Sequence, residues 1–504
     1  MEKFLKFWPW ICAFIILLMP VFPFQDLPMH LTYAHLLANW DKASLYYTKA
    51  AEYNVYFNLH YLLAGLSKIF GNVENAFRFG MAIYFVVFFF CLRFLQQTLE
   101  KFKITIEWRP HFILLALNGT MLLGFVAYAW GIPLVILGFA LSMRWQLDKY
   151  VLASVNFKAL MALIFVLGLM HPVLPWAFIL ATAVYLYPLY PAPKTLSIFS
   201  LPLILLWFIG VPGKKNILNI PDNFIHNGYG FEFIDTLFKT NWSGVPTKMN
   251  YFFWQWALPV RIIPLLVMLF IMLALFLYVY RQHRQLNWNR PPMFKRANWL
   301  LFLGLMLPWG IYWPSEITFI NFRMVSTWGM LPFLLMGTFW CQSILGKNLW
   351  RWLGILQSTV LLVVLWLAAG DFRAPFSLLE KLPKNASLMP LIYEGNSPSL
   401  AKIYRATHFA AMYYVIRNEG RSHQFWGRYT SHLPVDWQDR ERMPGPPDWR
   451  PWEFEEKHLV RADYVLINFP FDRKREDMSA QQILERNSIS VQCQHNWCLY
   501  GIKK

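Results

Sequence analysis

Between residues 24 and 61 the chain reads FQDLPMHLTYAHLLANWDKASLYYTKAAEYNVYFNLHY, a stretch that holds Asp26, His30, His35, Asp41, Glu52 and His60. Carboxylates and imidazoles move protons near neutral pH, and both also ligate divalent cations. Asp26 and His30 are one helical turn apart, so on a helix they share a face. Pro28 suits the first turn of such a helix, and Asp26 suits the cap before it. Two readings follow. In one, Asp26 only caps the helix and His30 is an interfacial polar residue. In the other, Asp26 is a general base at the lip of a cavity, with His30 beside it. Asp41 and Glu52 read as ordinary loop acids. His60 opens a second apolar segment, which runs to Phe70.

Other side chains with chemical potential lie far along the chain. Arg323, in FINFRMVS, and Arg405, in YRATHFAAMYY, carry forks that match phosphate oxygens. For Arg323 the alternative is snorkelling to the membrane interface. His408 follows Arg405 closely, and a solvated helix face is the plain account of both. Glu232 and Asp235, in GYGFEFIDTLF, would bind a substrate or a cation, or form a polar loop face. His171, in LGLMHPVLPW, would complete a divalent-cation site with Asp26 and His30, a ligand set that suits zinc. A satisfied buried histidine is the rival account. Trp242, Trp254 and Trp256 would stack on a sugar or anchor the chain at an interface.

These groups need a scaffold, and composition names its class. Hydrophobic residues make up 57% of the chain and charged residues 15%. Mean hydropathy is +0.34. Both place the chain among membrane proteins. Residues 111–143 and 159–193 lack Asp, Glu, Lys and Arg, and each is long enough for two spans. The net charge of +18 sits in short loops, as membrane topology requires, and gives no reason to invoke nucleic acid. Basic residues count as a cytoplasmic marker, and they also suit anionic lipid.

The charge pattern predicts about eleven spans, with the N-terminus inside and the tail outside. Span one covers residues 8–23, preceded by Lys3 and Lys6. The site following it is rich in Pro and Phe, so the segment reads as a retained span and not a cleaved signal. Residues 24–77 form a first outer loop with two interfacial helices, and residues 78–98 return. Residues 111–126 and 128–143 make a hairpin, and residues 212–259 a second long outer loop. The expected domains are a membrane domain over 1–370 and an extracytoplasmic α/β domain over 371–504. In the latter, residues 463–469 read as a strand, 478–486 as a helix and 488–502 as a hairpin. Cys493 and Cys498 flank that hairpin's turn, as a disulfide or a metal pair. Residues 434–452 read as a Pro- and Trp-rich loop.

An inside-start span followed by a long outer loop opening with DLPMHLTYA resembles the GT-C superfamily of membrane glycosyltransferases. That group includes oligosaccharyltransferases, protein O-mannosyltransferases and lipid A aminoarabinose transferases. LALNGTMLLGFVAYAWGIPL, LGLMHPVLPW and HFAAMYYVIRNEG are similar to segments of its bacterial members. The WWDYG signature is not present, which weakens the case for an oligosaccharide-to-asparagine transferase. The resemblance implies a polyprenyl-phosphate-sugar donor and a glycan, lipid or protein acceptor. It also implies the bacterial inner membrane, with transfer on the extracytoplasmic face. Asp26 would be the base, Arg323 and Arg405 would hold the donor phosphate, and His60, Glu232 and His408 would bind substrate. A sugar phosphate already has a good leaving group, so one carboxylate suffices, with inversion at the sugar. A lipid or glycan flippase is the rival class. Its ionisable residues would gather near the midplane, whereas here they gather at one face. A receptor or assembly protein acting through its tail is the third.

Overall fold

The computed structural model describes residues 1–50, 57–102, 104–122, 124–171, 174–175, 178–179, 182, 198, 201–202, 344–393, 395, 406–423, 434–438, 445–446, 451–469 and 475–504. Arg323, Arg405, Glu232, Asp235, Trp242, Trp254 and Trp256 lie outside them, as do the second outer loop and the spans expected between residues 203 and 343. In chain order the helices are α1 (Glu2–Leu17), α2 (Leu27–Ala38), α3 (Trp40–Ala43), α4 (Asn58–Phe70), α5 (Val73–Lys101), α6 (Phe112–Ala116), α7 (Gly119–Leu122), α8 (Val126–Leu147), α9 (Val155–Met170), α10 (Ile344–Gly370), α11 (Arg373–Leu379), α12 (Met412–Asn418) and α13 (Arg475–Asn487). The strands are β1 (Tyr47–Lys49), β2 (Ser387–Ile392), β3 (Arg421–Ser422), β4 (Val435–Trp437), β5 (Tyr464–Asn468), β6 (Ser488–Gln494) and β7 (Trp497–Ile502).

The described residues are mostly helical. Among them, α5, α8 and the stretch Ile344–Leu379 are long and apolar enough to cross a membrane, and α9 is a shorter apolar helix. The chain divides into two compact units. Unit one holds Met1–Ile15, Ala82–Met121 and Val126–Leu361; unit two holds Ile16–Met81, Leu122–Phe125 and Leu362–Lys504.

In unit one, α5 and α8 end side by side. The Arg144 guanidinium donates from Nε to Thr98 Oγ1 at 2.9 Å and lies over the Phe94 ring at 3.8 Å. Two neighbouring helices that end together run parallel, so the chain between them must travel back. It does so along α5. Trp108 donates to Gln96, Phe112 packs on Phe88, and the Tyr84 hydroxyl donates to the Ala116 carbonyl. The partner number on α5 falls as the chain advances, which is antiparallel travel.

This return was expected as one helix over residues 111–126, and the structure corrects it. The segment is broken into α6 and α7. Asn118 makes the break. Its Oδ1 accepts from the backbone of Thr120 and Met121, and its Nδ2 donates to the Leu115 carbonyl. One buried amide thus supplies partners on both sides of the interruption, as apolar surroundings demand.

Unit two carries a five-stranded sheet in the order β3-β2-β5-β7-β6. β2 pairs in parallel with β3 and β5, and β7 pairs antiparallel with β5 and β6. The expected strand, helix and hairpin appear as β5, α13 and β6–β7, and a Cys493–Cys498 disulfide bridges the hairpin. β2 contains Pro390, which a central strand resists because the ring lacks an N–H. Among the described residues β3 pairs only with Ser387 and Leu388, so Pro390 lies past that pairing. The Asp463 carboxylate fastens β5 to β2 by accepting from Ser387 N and Oγ, both at 2.7 Å, and pairs with Lys504. Part of the loop expected at 434–452 is strand: β4 pairs antiparallel with β1.

Candidate active site

Asp26 occupies the N-cap position of α2, with Pro28 in the first turn, where its missing N–H costs nothing. The carboxylate makes no capping hydrogen bond to the helix. Cap geometry therefore does not account for an acid at this position. His30, one turn on, donates its backbone N–H to the Asp26 carbonyl.

α2 departs from the expectation of an interfacial helix lying flat. Leu27, Pro28, Met29, Leu31, Thr32, Tyr33, Ala34 and Leu36 are buried, so protein covers it nearly all round. The cause is legible in its residues, which are apolar on every face rather than along one stripe. Met29, Tyr33 and Leu36 share a core with Tyr47, Phe409, Met412, Val415, Val435 and Trp437. Each such side chain contributes about 1.5–3 kcal/mol relative to exposure. The Thr32 hydroxyl reaches the carbonyls of Pro28 and Met412, tying α2 to α12. A helix held on several sides is a rigid platform for a residue at its start. α4 behaves differently: Tyr61, Leu62 and Ile69 stand exposed on one face, which is the pattern of an interfacial helix.

α2 packs against α4, and the packing brings His30 and His60 together. His30 Nδ1 and His60 Nε2 are 2.9 Å apart, and Tyr33 meets the His60 ring edge-on. His60 is buried. A hydrogen bond between two imidazole nitrogens needs one N–H and one lone pair, so the bond cannot survive protonation of both rings. The pair fixes the orientation of the His30 ring, one turn from Asp26.

A second clasp comes from Leu122 and Gly124. Gln25 N donates to the Leu122 carbonyl at 3.0 Å. Gly124 has φ +85°, and a Cβ there would lie 2.5 Å from Asp26 N and 2.9 Å from Asp26 Cα. Only glycine admits both the backbone conformation and the approach. Sequence reasoning did not single out Gly124. Its signal was a lone glycine interrupting an apolar run, TMLLGFVAY.

His408 is buried in the turn before α12, edge-on to Phe409. A Cβ on Gly395 would come 2.9 Å from His408 Cβ, so this turn too is closely packed. His171 belongs to unit one, at the end of α9, edge-on to Tyr128. Among the described residues, no three His, Cys, Asp or Glu side chains are grouped to hold a metal ion. On α2, burial depresses the His35 pKa, opposed in part by the Glu419 carboxylate. His35 is thereby held neutral more readily than a solvated imidazole.

Neither a protein-family model, a curated protein nor a solved structure matches the chain.

Proposed function

We propose that the protein is an integral membrane glycosyltransferase of GT-C type, moving a sugar from a polyprenyl-phosphate carrier to an acceptor on the extracytoplasmic face. The observation that carries this reading is Asp26: an acid that starts a buried helix, makes no cap, and has its backbone approached so closely by Gly124 that a Cβ there would overlap it. A general base needs such fixed placement, because proton transfer requires reach within hydrogen-bond distance of the acceptor.

In the proposed reaction the acceptor's hydroxyl or amine loses its proton to Asp26 as it attacks the anomeric carbon. The bond to the carrier phosphate breaks, its electron pair leaves with the phosphate, and the sugar inverts. The His30–His60 pair would orient the acceptor beside the carboxylate. Arg323 and Arg405 would neutralise the departing phosphate, while Glu232 and His408 would contact substrate. No step is routed through a metal.

The proposed topology has about eleven spans, the first of them α1, in a bacterial inner membrane. One observation supports its parity. α5 and α8 end together near Lys101, Arg144 and Lys149, with the 108–122 segment returning along α5 as a broken crossing. Basic residues gathered at one end mark that end as cytoplasmic.

The test is reconstitution of the full chain in liposomes with labelled polyprenyl-phosphate-sugars and envelope acceptor fractions. The enzyme reading expects label to move covalently to an acceptor. Label that crosses the bilayer still on its carrier, with no transfer, would make the protein a flippase.

A further inference from the structure

At one end of unit one, a cavity of about 180 Å³ opens among the start of α1, residues 105–109 and the start of α10. Glu2, Lys6, Glu107, Arg109, Lys347 and Arg351 supply its charged walls. That is below the roughly 300–1,000 Å³ of pockets for drug-sized ligands and suits a headgroup.

The charges inside are not balanced. Arg351 engages both acids. Its Nη2 donates to Glu107 Oε2 at 2.8 Å and to Glu2 Oε1 at 3.2 Å, and its Nε donates to Glu107 Oε2 at 3.1 Å. Lys347 adds a 3.9 Å approach to Glu2. With the carboxylates occupied by these partners, Lys6 and Arg109 leave the cavity net positive. Phosphate oxyanions are the ligands that such a wall selects.

The flanks say what the phosphate is attached to. On α1, Phe4, Phe7, Ile11 and Phe14 are exposed; on α10, Ile344, Leu345, Leu349 and Trp352 are exposed. Phe7 is 64% exposed and Ile344 84%. On α10, Ile344 lies one turn before Lys347, so the apolar surface begins beside the charged wall; on α1 the exposed residues lie on the side away from Glu2, Leu5 and Lys6. Acyl chains cover such faces, whereas a soluble phosphate would leave them unexplained.

We propose that this cavity binds the headgroup of an anionic phospholipid, with its acyl chains along α10. Lys6 and Arg109 attract the phosphate, and the Arg351–Glu107–Glu2 network holds the walls apart at fixed spacing. The site is independent of the proposed transfer chemistry and of the residues assigned to it.

The experiment uses the full chain in phosphatidylcholine nanodiscs, titrated with a fluorescent phosphatidylglycerol probe. Saturable binding is expected, weakened roughly thirtyfold by Lys6→Gln with Arg109→Gln. Lys6→Arg with Arg109→Lys keeps the charge and should keep the binding, which separates lost attraction from lost folding. Equal binding of a phosphatidylcholine probe, or unchanged binding in the neutralised variant, overturns the proposal. Displacement of the probe by inorganic phosphate at equal affinity overturns it too, by making the cavity a site for the free anion.

Discussion

Gly124 and Gly71 both require a positive φ and differ in what surrounds them. Both have positive φ, +85° and +82°, but a Cβ on Gly71 meets nothing within 4 Å, whereas one on Gly124 meets the Asp26 backbone. Gly71→Ala should therefore cost only the left-handed conformation, about 1–2 kcal/mol. Gly124→Ala should cost that and a further 1–3 kcal/mol or so of overlap, and should also shift Asp26 and reduce transfer. Melting of the two variants in one detergent checks the difference; equal melting points would remove the clasp from the account. At this scale the sequence showed Asp26 and His30 on one helix face, because their spacing is local. It could not show His30 against His60, since that meeting depends on how α2 packs on α4. It also could not show that the carboxylate makes no cap, because Asp before a Pro-initiated helix has the same letters in either case.

Helix α10 depends on close approach in the same way. A Cβ on Gly354 would come 2.7 Å from Pro110 Cβ and 2.8 Å from the His111 ring. Beside it Ser358 donates to the Pro110 carbonyl and Trp350 to the Glu107 carbonyl. Gly354→Ala should lower stability by about 1–3 kcal/mol. Gly65→Ala, on α4 with open space around the new methyl, should raise it by about 0.5–1 kcal/mol. Thermal melting that moves in the same direction for both would contradict the packing described for α10. Elements with their own signals were legible: β5 is a short apolar run, and the β6–β7 hairpin carries a cysteine at each side of its turn. β2 was not, because Pro390 argues against a strand until β3 is known to be two residues long. Nor was the break between α6 and α7, which a single Asn118 makes inside an otherwise unbroken apolar run.

At the scale of the whole molecule, the membrane class, the basic loops and the sheet-bearing tail follow from composition and charge. The division into units does not. Residues 27–47 share a core with residues 409–437, and no local pattern announces a partner so far along the chain. Acid should loosen this assembly in a defined order. Burial holds the His35 pKa below its ordinary 6.5. Burial pushes Asp463 upward, but hydrogen bonds and charge from Lys504 and Ser387 outweigh it and leave its pKa below the ordinary 3.8. Both groups are depressed in the folded chain. Each therefore contributes stability that is present above its unfolded pKa and is lost as pH falls through the folded value. Unit two should melt at a constant temperature above about pH 7, then at falling temperatures below about 6.5, with a further loss below about 4. A melting temperature that rises on acidification from pH 7 would contradict these assignments. The central claim is that Asp26 takes the acceptor's proton, and Asp26→Asn tests it with almost no change in shape. In liposomes with a labelled polyprenyl-phosphate-sugar, the account predicts that the variant folds, binds donor and loses transfer by at least about a hundredfold. Transfer at the wild-type rate by a correctly folded Asp26→Asn protein would remove Asp26 from the mechanism.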